Sequence, residues 1–284
     1  IPQIVLVRAS MAINLSIWQK VMNDMKNADC GYSAVGFMER TTGKPQMVAL
    51  SSFEKTSVRF NMIGDISQGL DQEVREETCL IVFEGAGENF CFGASVEEHK
   101  AEKASGMLEV FHGLFRQLAD LAVPTCAVVR GQCLGGGLEL ASWCTWIVAT
   151  PDARLGQPEI QLAVFPPMAS VLLPWRAGGQ VALDLCVSGR SLRADEALSS
   201  RVISAVTEDP SAWWEALVEK RLGRTSASSL RYAERAVRLQ LMRQLDDAIP
   251  ELERLYLDRL MDTHDANEGI HAFTERREPL YQHR

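Results

Sequence analysis

Two carboxylates stand where this chain could do chemistry. The stretch from Gly131 to Glu159 reads GQCLGGGLELASWCTWIVATPDARLGQPE. An apolar run, PTCAVVRG, leads into three consecutive glycines, Gly135, Gly136 and Gly137, and an apolar helical pattern opens directly after them. Glycines between a strand and a helix start let the backbone come close to a ligand with free N–H groups facing outward. Glu139 falls in the first helical turn between Leu138 and Leu140, and Glu159 follows a Gly-Gln-Pro turn. An acidic group in apolar surroundings is unfavourable unless it has a partner or a reaction to serve. Two of them beside a row of backbone donors suggest acid/base work next to an oxyanion hole. A plainer alternative is that Glu139 only complements the helix dipole. A dinucleotide-binding loop fits poorly, because G-x-G-x-x-G and an acidic ribose partner are both missing.

LGGGLELA followed by LGQPEI resembles the crotonase (enoyl-CoA hydratase/isomerase) superfamily, and so does the upstream NFCFGASVEEH, Asn89 to His99. The likeness keeps its order and spacing from about Met47 to the C-terminus. It implies Glu139 and Glu159 as the catalytic pair, Glu139 orienting and activating a water and Glu159 serving as principal acid/base and proton donor. It implies the backbone N–H groups of Ala94 and Gly136 as the oxyanion hole, and Phe92, Phe165, Pro166 and Met168 as walls of the acyl pocket. For Phe165 to Met168, packing alone is an equal explanation. Ser95 stands where the family's oxyanion turn often carries Asp, which rules out an acid role there. FGASVEEH, RGQCLGGGLELA, LGQPEIQLAVFPP and the tail LYLDRLMDTHDANEGIHAFTERR are most similar to members that hydrate cyclohexa-1,5-diene-1-carbonyl-CoA in anaerobic aromatic degradation. Hydration or isomerisation of a straight-chain enoyl-CoA is the neighbouring reading. A non-catalytic scaffold that binds CoA esters is the reading from another class.

The resemblance also implies the architecture: an α/β crotonase (ClpP-like) fold, a spiral of repeated ββα units with a C-terminal helical region. The acyl-CoA thioester would be the substrate, no cofactor would be needed, and the chain would form a homotrimer or homohexamer. Residues 47–210 would form the spiral core and 211–284 the helical oligomerisation region. Residues 1–46 would be an N-terminal extension of unclear role, since MVALSSF and MIGDISQGLDQEVRE already supply the family's first strand and helix. Within the extension IVLVRA reads as a strand and LSIWQKVMNDMK as a helix. The family's Asn-Arg-Pro turn is replaced by Phe53-Glu54-Lys55, so no adenine contacts are assigned there.

The positioning elements follow from periodicity. TCLIVFEG is a continuous apolar run and reads as a buried strand; CAVVR and WIVAT read as two more. A helix is expected from about Val96 to Ala122, with Met107, Val110, Phe111, Leu114 and Leu118 along its core face and Pro124 beyond its end. His99 falls at its start, where an exposed helix histidine is favoured over one lining the site entrance. From Ser211 the chain reads as helical to its end, with Leu230, Ala233, Ala236 and Leu239 on one face of Ser226 to Asp247. Arg276 and Arg277 read as a solvated cluster at a helix C-terminus before they read as phosphate ligands.

Composition bounds the rest. The 284 residues are 46% hydrophobic and 23% charged, ordinary values for a globular chain with a sizeable core. A net charge of −8 argues against nucleic acid as a partner, while leaving room for local cations to hold a CoA phosphate. The seven cysteines include no CxxC pair and most sit in apolar runs, which favours a reducing cytoplasmic setting. The five histidines show no metal-ligand spacing, so no metal is expected. No membrane span and no signal peptide are expected.

Overall fold

The computed structural model describes residues 3–9, 46–51 and 60–284. The expected helix LSIWQKVMNDMK, the Phe53-Glu54-Lys55 segment and Cys30 lie outside the described residues. Two sheets organise the rest. The larger has six strands, β1 (Gln3–Ala9), β2 (Gln46–Ser51), β3 (Thr78–Gly85), β4 (Thr125–Val129), β6 (Trp146–Ala149) and β9 (Ala205–Val206). Their order is β2-β1-β3-β4-β6-β9, and every neighbouring pair is parallel. The smaller sheet joins β5 (Gln132–Leu134), β7 (Arg154–Gly156) and β8 (Ser191–Arg193), with β5 parallel to β7 and β7 antiparallel to β8.

A parallel sheet must be covered on both faces, so its strands run apolar throughout and divide their side chains by alternation. In β3, Ile81 and Phe83 join the main core with helices α1 (Phe60–Glu73), α2 (Ala101–Leu121), α3 (Gly136–Trp143) and the long α8 (Ala227–Leu255). Leu80 and Val82 face the other way and meet Trp214 and Val218 of α7 (Pro210–Lys220). A third apolar cluster joins Val96, Met107, Leu162, Val164, Tyr256 and Ile270 beside the cavity described below. Helices α4 (Ala169–Ala177), α5 (Gly179–Ser188), α6 (Ala194–Ser199) and α9 (His264–Glu275) complete the chain.

β1 pairs with both β2 and β3; its Val5 and Val7 join the main core and its Ile4 and Leu6 the second cluster, because alternate side chains of a strand point to opposite faces of the sheet. Three helix expectations need correction. The helix expected from Val96 is divided: Val96–His99 is a 3-10 turn and α2 begins at Ala101, running to a left-handed Ala122 just before Pro124. The core face of α8 is Arg238, Leu241, Leu245 and Ile249. Leu239, 55% exposed, lies on the solvent side with Ala233 and Ala236, because both faces of this helix carry apolar residues and only contact with the sheet selects one. The residues after α9 are not helical; they fold back on it, with Asp265 accepting from the N–H groups of Gln282 and His283 at 2.7 Å each. Among the described residues, no helix is long and apolar enough to cross a membrane.

Candidate active site

Three tight turns meet at one end of the small sheet. The first, after Phe90, is tied to β5: Cys91 N–H donates to Gln132 O at 3.0 Å and Leu134 N–H to Cys91 O at 2.8 Å. Asn89 Oδ1 accepts from Gln132 N–H at 2.8 Å and secures the loop's start. The second turn joins β5 to α3 through Gly135. The third follows β7, whose parallel pairing with β5 sets Gly156 opposite Leu134. Gly135 N–H then donates to Gly156 O at 3.0 Å, which draws the Gln157-Pro158-Glu159 turn against the start of α3. Twenty residues of chain separate the two glutamates, and a three-residue strand pairing brings them to one cavity.

Glycine is required at two of these turns. Gly135 has φ +54° and ψ −128°, a region that side-chain-bearing residues avoid. A Cβ there would also come within 2.5 Å of Glu159 Oε1. Gly93 has φ +95°, and a Cβ on it would meet Leu134 O at 3.2 Å and Gly136 N at 3.3 Å. The 93–94 and 135–136 turns are therefore in backbone contact. Ala94 follows the first and Gly136 opens α3, so Gly136 N–H is one of the helix-start donors without an intrahelical acceptor. No hydrogen bond is recorded for the Ala94 or Gly136 N–H among the described residues. Two backbone donors on adjoining turns can hold one oxygen that gains negative charge.

Both carboxyls line the same cavity. Glu139 is 5% exposed and accepts from Ala169 N–H at 2.7 Å. Burial pushes its pKa up to about 7, against the pull of the Ala169 and Met168 backbone N–H groups. Glu159 sits in the 3-10 turn Pro158–Leu162, where proline at the first position presets the backbone. Its pKa is also raised, first by burial and then by the charge of Glu139. Two such carboxyls resist ionising together, and a pair of this kind can divide the roles of base and proton donor. The buried Gln157 supports this arrangement. With its amide turned to match its neighbours, its nitrogen donates to the two Glu159 oxygens at 3.2 and 3.1 Å and to Gly135 O at 3.3 Å. Sequence reasoning passed over Gln157 as part of a turn; its place two residues before Glu159 was the available signal.

The cavity's empty space, counting its open mouth, is about 610 Å³. Phe92, Phe165 and Pro166 line it. Met168 does not: its side chain is buried in the main core, and its backbone N–H is what faces Glu139. His99 is also corrected. It is half-buried and lines the cavity, with Nδ1 at 3.0 Å from Ser95 O, because the 3-10 turn rotates it inward. His112 of α2 and Tyr256 beyond α8 line the cavity too, and neither was singled out from the sequence. Arg277 is exposed and paired on the surface with Glu268, at 2.5 and 2.8 Å, and with Glu275 at 2.7 Å. Among the described residues there is no group of three or more side chains that could hold a metal ion.

The comparisons with known proteins agree with this geometry. The enoyl-CoA hydratase/isomerase family model matches residues 54–284. The chain is 42% identical over 224 residues to the cyclohexa-1,5-dienecarbonyl-CoA hydratase of Thauera aromatica, covering 78% of this chain and 87% of that one. It is 32% identical over 257 residues to a probable enoyl-CoA hydratase of Mycobacterium leprae, covering 89% and 96%. The crystal structure of an enoyl-CoA hydratase from Mycobacterium avium subsp. paratuberculosis superposes with a TM-score of 0.67 at 26% identity, over 80% of this chain and 89% of that one. Paired glutamates, adjoining glycine turns and a match over most of the length lead to one conclusion: this chain belongs to the enoyl-CoA hydratase/isomerase, or crotonase, family.

Proposed function

We propose that this protein is a hydro-lyase that adds water to a conjugated acyl-CoA thioester, with cyclohexa-1,5-diene-1-carbonyl-CoA as substrate and 6-hydroxycyclohex-1-ene-1-carbonyl-CoA as product. The observation that carries the hydration reading is the pair of carboxyls in one cavity, Glu139 buried and Glu159 half-buried, both with raised pKa, beside two unengaged backbone donors. The cyclic substrate is supported by the likeness to the Thauera aromatica hydratase.

In this reading the thioester oxygen lies between the N–H groups of Ala94 and Gly136. Glu139 as carboxylate takes a proton from water, whose oxygen bonds to the carbon β to the carbonyl. The electron pair moves through the conjugated system onto the held oxygen, and returns as Glu159 gives its proton to the far end of the diene. One water is added, and the carboxyl pair ends with the same single proton, now on Glu139. The chemistry is redox-neutral and calls for no cofactor beyond the CoA of the substrate. Phe92, Phe165 and Pro166 would pack on the acyl group. A homotrimer or homohexamer belongs to the same reading, supported by the exposed Val187, Val237 and Leu239.

Hydration of a straight-chain enoyl-CoA is the second reading, favoured by the likeness to the Mycobacterium leprae protein over nearly its whole length. The deciding experiment offers crotonyl-CoA and cyclohexa-1,5-diene-1-carbonyl-CoA side by side and follows the added mass of water. Preference for the cyclic diene is expected. Preference for crotonyl-CoA overturns the cyclic assignment, and turnover of neither overturns hydration.

A further inference from the structure

The cavity contains two polar side chains that the proposed hydration does not use. His112 is 2% exposed and Tyr256 is 1% exposed, and both line the cavity that holds Glu139 and Glu159. His112 Nδ1 lies 2.6 Å from Glu253 Oε1. A carboxylate only accepts, so Nδ1 carries the proton of a neutral ring and Nε2 is left as an acceptor. Burial lowers the His112 pKa, which keeps the ring neutral. His112 Nε2 and the Tyr256 hydroxyl are both buried without a hydrogen-bond partner among the described residues. Burial first, then the charges of Glu159 and Glu139, holds the phenol proton on, so Tyr256 remains a donor close to the carboxyl pair. Buried polar atoms without partners are uncommon and unfavourable, and two of them on side chains that line one cavity call for an explanation.

An acceptor and a donor together match a hydroxyl, which gives one hydrogen bond and receives another. Proposed hydration creates such a group on the acyl carbon beside the glutamates. We infer that His112 Nε2 and the Tyr256 hydroxyl form a subsite for the hydroxyl of the hydrated acyl group, so that the cavity discriminates the hydroxyacyl thioester from its unhydroxylated counterpart. The inference rests on the hydration reading but not on the cyclic one. Tyr256 is held in place by Phe165, with ring centroids 5.4 Å apart and planes inclined at 65°, and His112 is held by Glu253. Both groups are thus fixed before a ligand arrives, and preorganised polar groups favour the ligand that satisfies them.

The test is a binding ratio measured without turnover. In a Glu159→Gln background, calorimetry gives Kd for 6-hydroxycyclohex-1-ene-1-carbonyl-CoA and for cyclohex-1-ene-1-carbonyl-CoA, which differ by one hydroxyl. Tighter binding of the hydroxylated ester is expected. Adding Tyr256→Phe, which keeps the ring packing, should cut the ratio of the two Kd values about tenfold, the effect of one buried hydrogen bond, and leave the unhydroxylated ester unmoved. His112→Asn, which can still offer a nitrogen to Glu253, should do the same. If the ratio does not change, or both esters weaken together, the subsite is overturned and the two atoms are served by cavity water. Should His112→Asn fail to fold, Tyr256→Phe decides alone. A wild-type protein that turns over neither ester strikes the cyclic hydration reading, while the binding ratio still decides the subsite; if neither cyclic ester binds, 3-hydroxybutyryl-CoA and butyryl-CoA, which also differ by one hydroxyl, supply the same ratio, and an unchanged ratio in Tyr256→Phe there overturns the subsite.

Discussion

The carboxyl end of the cavity and its side-chain walls are built in opposite ways. The carboxyl end comes from three short turns, around Gly93, Gly135 and Glu159, locked by backbone hydrogen bonds between neighbouring strands. The walls come from side chains on elements remote in sequence: His112 on α2, Phe165 after the 3-10 turn and Tyr256 beyond α8, with His112 and its partner Glu253 141 positions apart. Backbone-built sites tolerate little change, because a shifted donor or carboxyl misses its target by a fraction of an ångström. Side-chain walls act through packing and through single hydrogen bonds, whose loss is smaller and selective for the ligand. The difference teaches where chemistry and where selectivity should break.

The largest effect belongs to the carboxyl end. Glu159→Gln should lower kcat by about 10³-fold or more while CoA-ester binding stays within a few-fold, read by steady-state kinetics and calorimetry. Near-normal turnover would remove Glu159 from the chemistry. Gly135→Ala should follow, with a loss of about 10²-fold in kcat and about 1–3 kcal/mol in stability, because the new methyl meets both a forbidden φ/ψ region and the Glu159 carboxyl. An unchanged denaturation midpoint would show that the turn is not held as described.

The same end should be stabilised by neutralising it. Glu139 has a folded pKa raised to about 7, so the folded state keeps a proton that the unfolded chain releases. Below the ordinary carboxyl value, near pH 4, both states are protonated and nothing is lost. As pH rises from there through about 7, stability falls, and above 7 the full penalty of a buried charge remains. Glu139→Gln should therefore raise stability at pH 8, by at most about 3 kcal/mol, and change it little at pH 4, as urea midpoints at the two values would show. Equal effects at both would contradict a shifted carboxyl. The smallest effect is expected at the walls: Phe165→Ala should raise KM about tenfold and alter kcat by about threefold or less, since the ring packs on Tyr256. A kcat loss as large as that of Gly135→Ala would erase the distinction between the turns and the walls.

Legibility in the sequence divides along the same line. Glu139 and Glu159 stand out by local signals, glycines at a strand-to-helix turn and carboxyls near apolar neighbours, while Ala94, Gly136, Phe92, Phe165 and Pro166 are named only through the family resemblance. Met168 was misjudged because adjacency to a site says nothing about which way a buried side chain turns. The small sheet was not seen, since strands of three residues carry no periodic signal, yet β5 and β7 are what bring the two glutamates together. His112 and Tyr256 were not seen either. Their shared cavity exists only once α2 and the end of α8 are packed.

By itself the sequence determined the family, the alternation of strands and helices, and the local turns that carry the carboxyls and backbone donors. These depend on backbone preference and spacing along the chain, which are properties of neighbouring residues. Only the tertiary structure decided the order of strands around β1, the buried face of α8, the raised pKa of Glu139 and Glu159, and the meeting of His112 and Tyr256 at one cavity. Each of these arises from burial against residues distant in sequence, and burial depends on which surfaces meet, a quantity no local pattern contains.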